Sequence, residues 1–159
     1  MCAFHPFLHY PPGASARIMY PSCRTMIDWE GTDMHRSRIN GILIDCNVDD
    51  IEAGARFWAE AFGRRIDANH PGTRGNYVML ETPPDEISIQ IQRVDHESRV
   101  HIDIETDDIP AEVDRLEKLG ATVDKRLERW VVMRAPTGQR LCIVRVQRDG
   151  FPKGATSWD

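Results

Sequence analysis

The sequence predicts an α+β fold made of two tandem βαβββ modules. Two stretches, residues 42–63 and 101–120, share one layout: a short alternating apolar run, an Asp-Asp pair, and an amphipathic run that ends at Gly. The second Asp of each pair, Asp50 or Asp108, lies 58 positions (108 minus 50) from its counterpart. A repeat of this length indicates a duplicated supersecondary unit. The differences between the two copies therefore carry the information about function.

The first module spans residues 39–93. Its opening strand, 39–45, alternates between the two faces of a sheet. Asp49 is predicted to cap the helix that follows, because Glu52 stands three residues later, and Gly63 is predicted to end it. Turn-rich loops separate three further strands, near 65–68, 77–81 and 86–92. The helical spacing predicts a buried face of Ile51, Ala55, Trp58 and Phe62.

The second module spans residues 99–147 and repeats this plan. Its opening strand is predicted at 100–105. Asp108 caps the predicted helix and Gly120 ends it. Three strands follow, near 122–126, 130–134 and 140–146. The predicted buried face of the helix consists of Ile109, Val113, Leu116 and Leu119.

The segments on either side of the modules have a different composition. Residues 1–38 hold four of the ten prolines and no sustained periodicity, which predicts a loosely ordered extension; a partner-binding arm is the alternative. Residues 148–159 form a polar tail in which Phe151 and Trp158 could dock.

Composition narrows the functional classes. The net charge of −5 and the absence of a basic patch argue against a nucleic-acid partner. No apolar stretch is long enough to span a membrane. The four cysteines form no C-x-x-C pair, so the sequence indicates neither a zinc knuckle nor a redox motif. A reduced cytoplasmic location is the expected setting.

Three motifs resemble those of the vicinal oxygen chelate superfamily. They are D-x6-F-W-x4-G at 50–63, V-H-I-D-I-x-x-D-D at 100–108 and W-V-V-M-x-x-P-x-G-x-x-x-C at 130–142. This superfamily includes glyoxalase I, bleomycin-resistance proteins and extradiol dioxygenases, and the chain is more narrowly similar to its bacterial glyoxalase-like subgroup. The resemblance implies that the strands form a curved mixed sheet around a cleft, and that the protein pairs as a homodimer.

Strand alternation then assigns side chains to that cleft. In each strand the residues that do not pack beneath a helix point to the opposite face. A solvated sheet face is the simpler interpretation, but an inward-curving face favours ligand binding because its polar groups need partners. The predicted cleft residues are Asp45, Ser88, Gln90, Gln92, His101, Asp103, Glu105, Arg140 and Cys142, with Tyr77 or Trp130 as apolar walls.

The resemblance also allows a metal site to be tested by position. Metal-dependent members use four ligand positions, on the first and last strand of each module. These positions correspond to Leu43, Gln90 or Gln92, His101 and Cys142. Because Leu cannot ligate and a thiol and an amide replace the other donors, we expect no metal cofactor. A divalent metal held by a rearranged set of His101, Asp103 and Glu105 is the alternative.

Two functions from different classes follow. The first is a protein that binds a small organic molecule in the cleft without a metal. The second is a lyase or isomerase acting on a small carbonyl or enol compound, with His101 as general base and Asp103 raising the pKa of its imidazole. Cys142 lies in an apolar strand, where a thiol is more often inert than nucleophilic.

Overall fold

The computed structural model describes residues 34–159, which form an eight-stranded mixed sheet with two helices packed on one face. The helices are α1 (Ile51–Phe62) and α2 (Ile109–Lys118). The strands are β1 (His35–Cys46), β2 (Tyr77–Met79), β3 (Ser88–Arg93), β4 (Arg99–Thr106), β5 (Thr122–Arg126), β6 (Trp130–Arg134), β7 (Arg140–Arg145) and β8 (Thr156–Trp158).

The two modules form one continuous sheet in the order β2-β3-β1-β4-β7-β6-β5, with β8 paired to β1. Within each module the first strand runs parallel to the last, β1 with β3 and β4 with β7. The modules meet where β1 and β4 pair antiparallel, with Leu43 opposite His101. One apolar core lies under each helix, so the face opposite the helices is left for a cleft.

The predicted α+β architecture is confirmed, but two of its boundaries are wrong. The first strand begins at His35 and not at Ile39, because residues 35–37 pair with β8 and Ser37 also pairs with β4. The strand predicted near 65–68 is reduced to a single bridge between Ile66 and Leu80. Residues 1–33 of the predicted extension lie outside the described part of the chain.

The helix ends follow ordinary capping chemistry, with one shift. Asp50, rather than the predicted Asp49, caps α1: its Oδ1 accepts from the backbone N–H groups of Glu52 and Ala53 at 2.9 and 3.1 Å. Gly63 ends the helix with a φ of 63°, a left-handed conformation that favours glycine. Asp108 caps α2 as predicted.

Both helices bury a narrower face than the sequence predicts. In α1 the buried positions are Ala55 and Ala59, whereas Phe62 at the last position is 43% exposed. In α2 Val113 is fully buried, but Leu119 is 65% exposed because the helix ends at the residue before it. The predictions for Phe62 and Leu119 are therefore wrong, since a periodic pattern does not tell where the last turn leaves the sheet.

The C-terminal tail belongs to the sheet. The Trp158 indole donates to Ser37 Oγ at 2.7 Å, and the Arg115 guanidinium lies 3.9 Å from the centre of its ring. Buried Glu112 accepts from Arg115, His35 and Ser37. Burial alone would raise the pKa of Glu112, but these hydrogen bonds hold it below its usual range. Together they fasten α2 and β8 to the start of β1.

Neither helix within residues 34–159 is long and apolar enough to cross a membrane.

Candidate functional site

A cavity of about 520 Å³ opens on the sheet face opposite the helices, and both modules line it. Its size lies within the range of small-molecule sites. The structure brings together eight of the ten residues predicted to act or bind there. They are Asp45, Gln90, Gln92, His101, Asp103, Trp130, Arg140 and Cys142, and the predicted wall residue Tyr77 is also present.

Ser88 does not line the cavity, so its prediction is wrong. Opposite it in β1 stands Gly41, where an added Cβ would lie 2.3 Å from Ser88 Oγ. This close approach is open only to glycine, and the Ser88 hydroxyl donates to the Asn40 carbonyl at 2.9 Å. Ser88 therefore has a structural role, as a hydrogen-bond donor to the backbone of β1.

Glu105 is also absent from the cavity, although it points to the predicted face. Its side chain is fully buried and accepts from Arg38 and from the backbone N–H groups of Gln147 and Arg148. The segment after β7 folds over it, which strand alternation cannot reveal. Glu105 thus anchors the C-terminal segment.

His101 lies at the junction of the two modules and is held by a carboxylate from the other module. Its Nδ1–H donates to Asp45 Oδ2 at 3.0 Å, and its side chain is only 11% exposed. Arg99 also donates to Asp45, at 3.3 Å. The Asp45 bond fixes the neutral imidazole with its proton on Nδ1, so that Nε2 is free to accept. Nε2 lies 3.6 Å from Asp103 Oδ1.

Asp103 and Cys142 are direct neighbours across β4 and β7. Burial raises the pKa of Asp103 to about 6, against the lowering influence of His101 and of the Cys142 thiol. Burial, with the Asp103 and Asp45 carboxylates, raises the pKa of Cys142 to about 12. The thiol is therefore protonated at neutral pH and is a poor nucleophile. The Oδ1 atoms of Asp45 and Asp103 are buried without a hydrogen-bond partner among the described residues.

The register of the sheet resolves which glutamine matches Cys142. Asp45 stands opposite Gln92 in the first module, and the corresponding Asp103 stands opposite Cys142 in the second. Gln92, not Gln90, is therefore the counterpart of Cys142. The four positions at which the resemblance places metal ligands are Leu43, Gln92, His101 and Cys142.

These residues do not fit an oxygen-preferring octahedral ion such as Mg²⁺. Leu43 supplies no donor, and the donor atoms that do converge, within 4.8 Å of one another, belong to His101, Asp103 and Cys142. An imidazole, a carboxylate and a thiol suit a thiophilic ion such as Zn²⁺ better. The alternative set that included Glu105 is wrong because that carboxylate lies elsewhere. The expected absence of a metal stays a prediction.

Sequence reasoning missed most of the cationic lining of the cavity. Arg99 and Arg145 lie at strand ends, just outside or at the edge of the predicted runs, and alternation places Arg99 on the same face as His101. Arg74 and Arg129 lie in loops, where periodicity gives no orientation. Val132 shares a face with Trp130 and could have been found from alternation.

Comparison with known proteins places the fold. A family model described as a glyoxalase-like domain matches residues 41–144. No curated protein matches the sequence.

Among solved structures, the chain is similar to a glyoxalase/bleomycin resistance protein/dioxygenase superfamily member from Vibrio splendidus 12B01, with 15% identity over 69% of this chain and 99% of that one, at a TM-score of 0.49. A hypothetical protein from Bacillus halodurans C-125 is 14% identical over 72% and 97% of the two chains, also at 0.49. An antibiotic binding protein from Streptomyces sp. CB03234 is 21% identical over 66% and 93%, at 0.25.

Proposed function

This chain belongs to the glyoxalase-like domain family, and we propose that it binds a small organic molecule, without a metal ion, in the cavity between its two modules. The observation that carries the proposal is the pair of buried carboxylate oxygens, on Asp45 and Asp103, that have no partner within residues 34–159 and belong to residues lining a cavity of about 520 Å³. An unsatisfied buried acceptor costs about 1–3 kcal/mol, and a native protein that carries two of them beside one cavity calls for a functional explanation.

The remaining lining supports a ligand with both polar and apolar parts. Leu43, Val132 and Trp130 offer apolar contact area. Gln92 donates through its Nε2 to the Tyr77 hydroxyl at 3.1 Å, which holds the two side chains in place. Oriented polar groups beside apolar contact surface are typical of small-molecule sites.

Affinity selection from a metabolite library, read by mass spectrometry, tests the proposal. Wild-type protein should retain at least one compound, and Gln92→Leu should weaken its binding about tenfold because it removes an amide from the cavity. Gln139→Leu, at an exposed turn outside the cavity, is the matched control and should bind as wild type does. If the library leaves no compound on the protein and none co-purifies with it, the proposal fails.

A second function, proton transfer in a lyase or isomerase, is favoured by one specific arrangement. Asp45 orients His101 so that Nε2 is the accepting atom, and Asp103 beside it has a pKa of about 6. Nε2 can remove a proton from a carbon next to a carbonyl group, and a neighbouring acid can protonate the resulting enolate. This chemistry uses the same cavity and the same ligand.

His101→Ala separates the two functions. If the bound compound is turned over, the variant should lose about 100-fold or more of the rate, since a positioned base contributes at least that much. Its affinity, measured by calorimetry, should change little, because the rest of the lining is intact. Equal turnover in wild type and variant would exclude His101 as the base, and binding without turnover would leave the protein a binder.

Two further expectations belong to this proposal. We propose a homodimer, supported by apolar side chains exposed on the helix-bearing face of the sheet. We also propose a reducing cytoplasmic setting, supported by Cys46 and Cys142, which are free thiols.

A further inference from the structure

The cavity is positively charged in a protein that is negatively charged. Five of its lining residues are arginines and only two are aspartates, whereas the whole chain carries a net charge of −5. A concave site with one sign of charge raises the local concentration of ligands of the opposite sign. The positive charge of the cavity in an acidic protein therefore indicates the charge of its ligand.

Two of these arginines already have acidic partners. Arg99 lies 3.3 Å from Asp45, and Arg140 lies 3.4 Å from Asp124. Asp124 also pairs with Arg134, so one carboxylate faces two guanidinium groups. The charge of Asp45 is balanced by Arg99, and His101 donates to the same oxygen.

The other three arginines form no ion pair with any residue from 34 to 159. Arg74 comes from the loop before β2, Arg129 from the turn before β6, and Arg145 from the end of β7. Surface arginines usually stand apart in solvent, but Arg74 and Arg129 come from loops of the two different modules and both line this one cavity. Arg145 shares the helix-side face of Ile143 and also lines a second pocket beside Asp107 and Asp108, so it contributes less to this site. An anion between Arg74 and Arg129 would be attracted by both charges.

We propose that the ligand is a small organic anion, a deduction that rests on the proposed function and specifies its substrate class. The planar guanidinium fork binds a carboxylate or a phosphate through paired hydrogen bonds, so either group fits. The apolar body of the ligand would lie against Trp130 and Val132. The oxyanion would lie towards Arg74 and Arg129.

Three probes that share one ring system test the charge requirement: 2-naphthoate, 2-naphthyl phosphate and the neutral 2-naphthamide. Native mass spectrometry and calorimetry should show at least one anion bound about tenfold or more tightly than the amide, since charge-assisted hydrogen bonds are roughly twice as strong as neutral ones. The ratio between the two anions distinguishes carboxylate from phosphate recognition. Raising the salt concentration should weaken anion binding and leave the amide unchanged.

The double variant R74Q/R129Q should lose this preference. The matched control, R56Q/R65Q, removes the same charge from exposed positions outside the cavity and should keep it. A preference that survives in the first variant, or disappears equally in both, would overturn the assignment to these arginines.

The remaining outcomes separate this inference from the proposed function. Equal binding of anions and amide overturns the inference but leaves a small-molecule binder. If none of the probes binds, the compound selected from the metabolite library decides: an anion supports the inference and a neutral or cationic compound overturns it. If no compound binds, from the probes or from the metabolite library, both the inference and the proposed function are overturned.

Discussion

Asp103 is a buried acid whose proton is held more tightly in the folded protein than in the free side chain. It is 7% exposed, one of its oxygens lacks a hydrogen-bond partner within the described residues, and burial raises its pKa to about 6. The ionised form is disfavoured because His101 and the Cys142 thiol replace only part of the lost hydration. Groups with a pKa perturbed in this way concentrate at functional sites.

This shift predicts how stability depends on pH. The folded pKa of Asp103 lies above the ordinary value of 3.8, so the folded state binds the proton more tightly than the unfolded state. Its contribution to stability is fully present below about pH 4 and falls by about 3 kcal/mol as the pH rises through about 6. Asp103→Asn should therefore be more stable than wild type at pH 8, and the difference should vanish below pH 4.

Urea unfolding at pH 3.5, 5, 6, 7 and 8 measures this difference. Exposed Asp114 lies on α2 away from the cavity, and Asp114→Asn is the control that should show no comparable trend. A constant difference between Asp103→Asn and wild type across this range would contradict the predicted pKa.

At the scale of the elements, the cap of α1 is the most direct test of the structure against the sequence. Sequence spacing favours Asp49, but Asp50 has the extended backbone and the two accepted N–H bonds of a true N-cap. Asp50→Ala should lower the free energy of unfolding by about 1 kcal/mol, whereas Asp49→Ala should change it by less than about half of that. Thermal and urea denaturation of the two variants compare them directly. Equal losses would mean that the cap had been misassigned.

The strands also show which side-chain positions the local sequence pattern can predict. Alternation assigned the faces of β4 and β7 correctly, because successive side chains must point to opposite sides of a pleated strand. It could not show that Ser88 would bond to the backbone beside Gly41, or that the segment after β7 would enclose Glu105. Both depend on contacts between residues distant in sequence.

At the scale of the whole molecule, the open strip between the two helices predicts self-association. Ile39, Val100 and Ile102 lie on the helix-bearing side of β1 and β4, yet they are 46, 55 and 40% exposed. Several exposed apolar side chains on one face of a protein often mark an interaction surface. A second copy of the chain would cover them.

Light scattering at micromolar concentration should give twice the mass of the chain. Ile102→Asp should give a monomer, because it places a charge in the apolar contact. Leu119→Asp changes a more exposed apolar residue at the end of α2 and should leave the dimer intact. A wild-type monomer under these conditions would contradict the proposal.

The sequence by itself determined the duplicated βαβββ plan, the faces of its principal strands and the presence of Leu43 where a metalloenzyme of this superfamily would need a ligand. These properties are local, since periodicity, caps and turn residues act within a few positions of the chain. Only the tertiary structure decided that Asp45 holds His101 across the module junction, that Gln92 matches Cys142, and that loop arginines converge on the cavity. Register and loop packing bring these groups together from distant segments, and no local pattern encodes either.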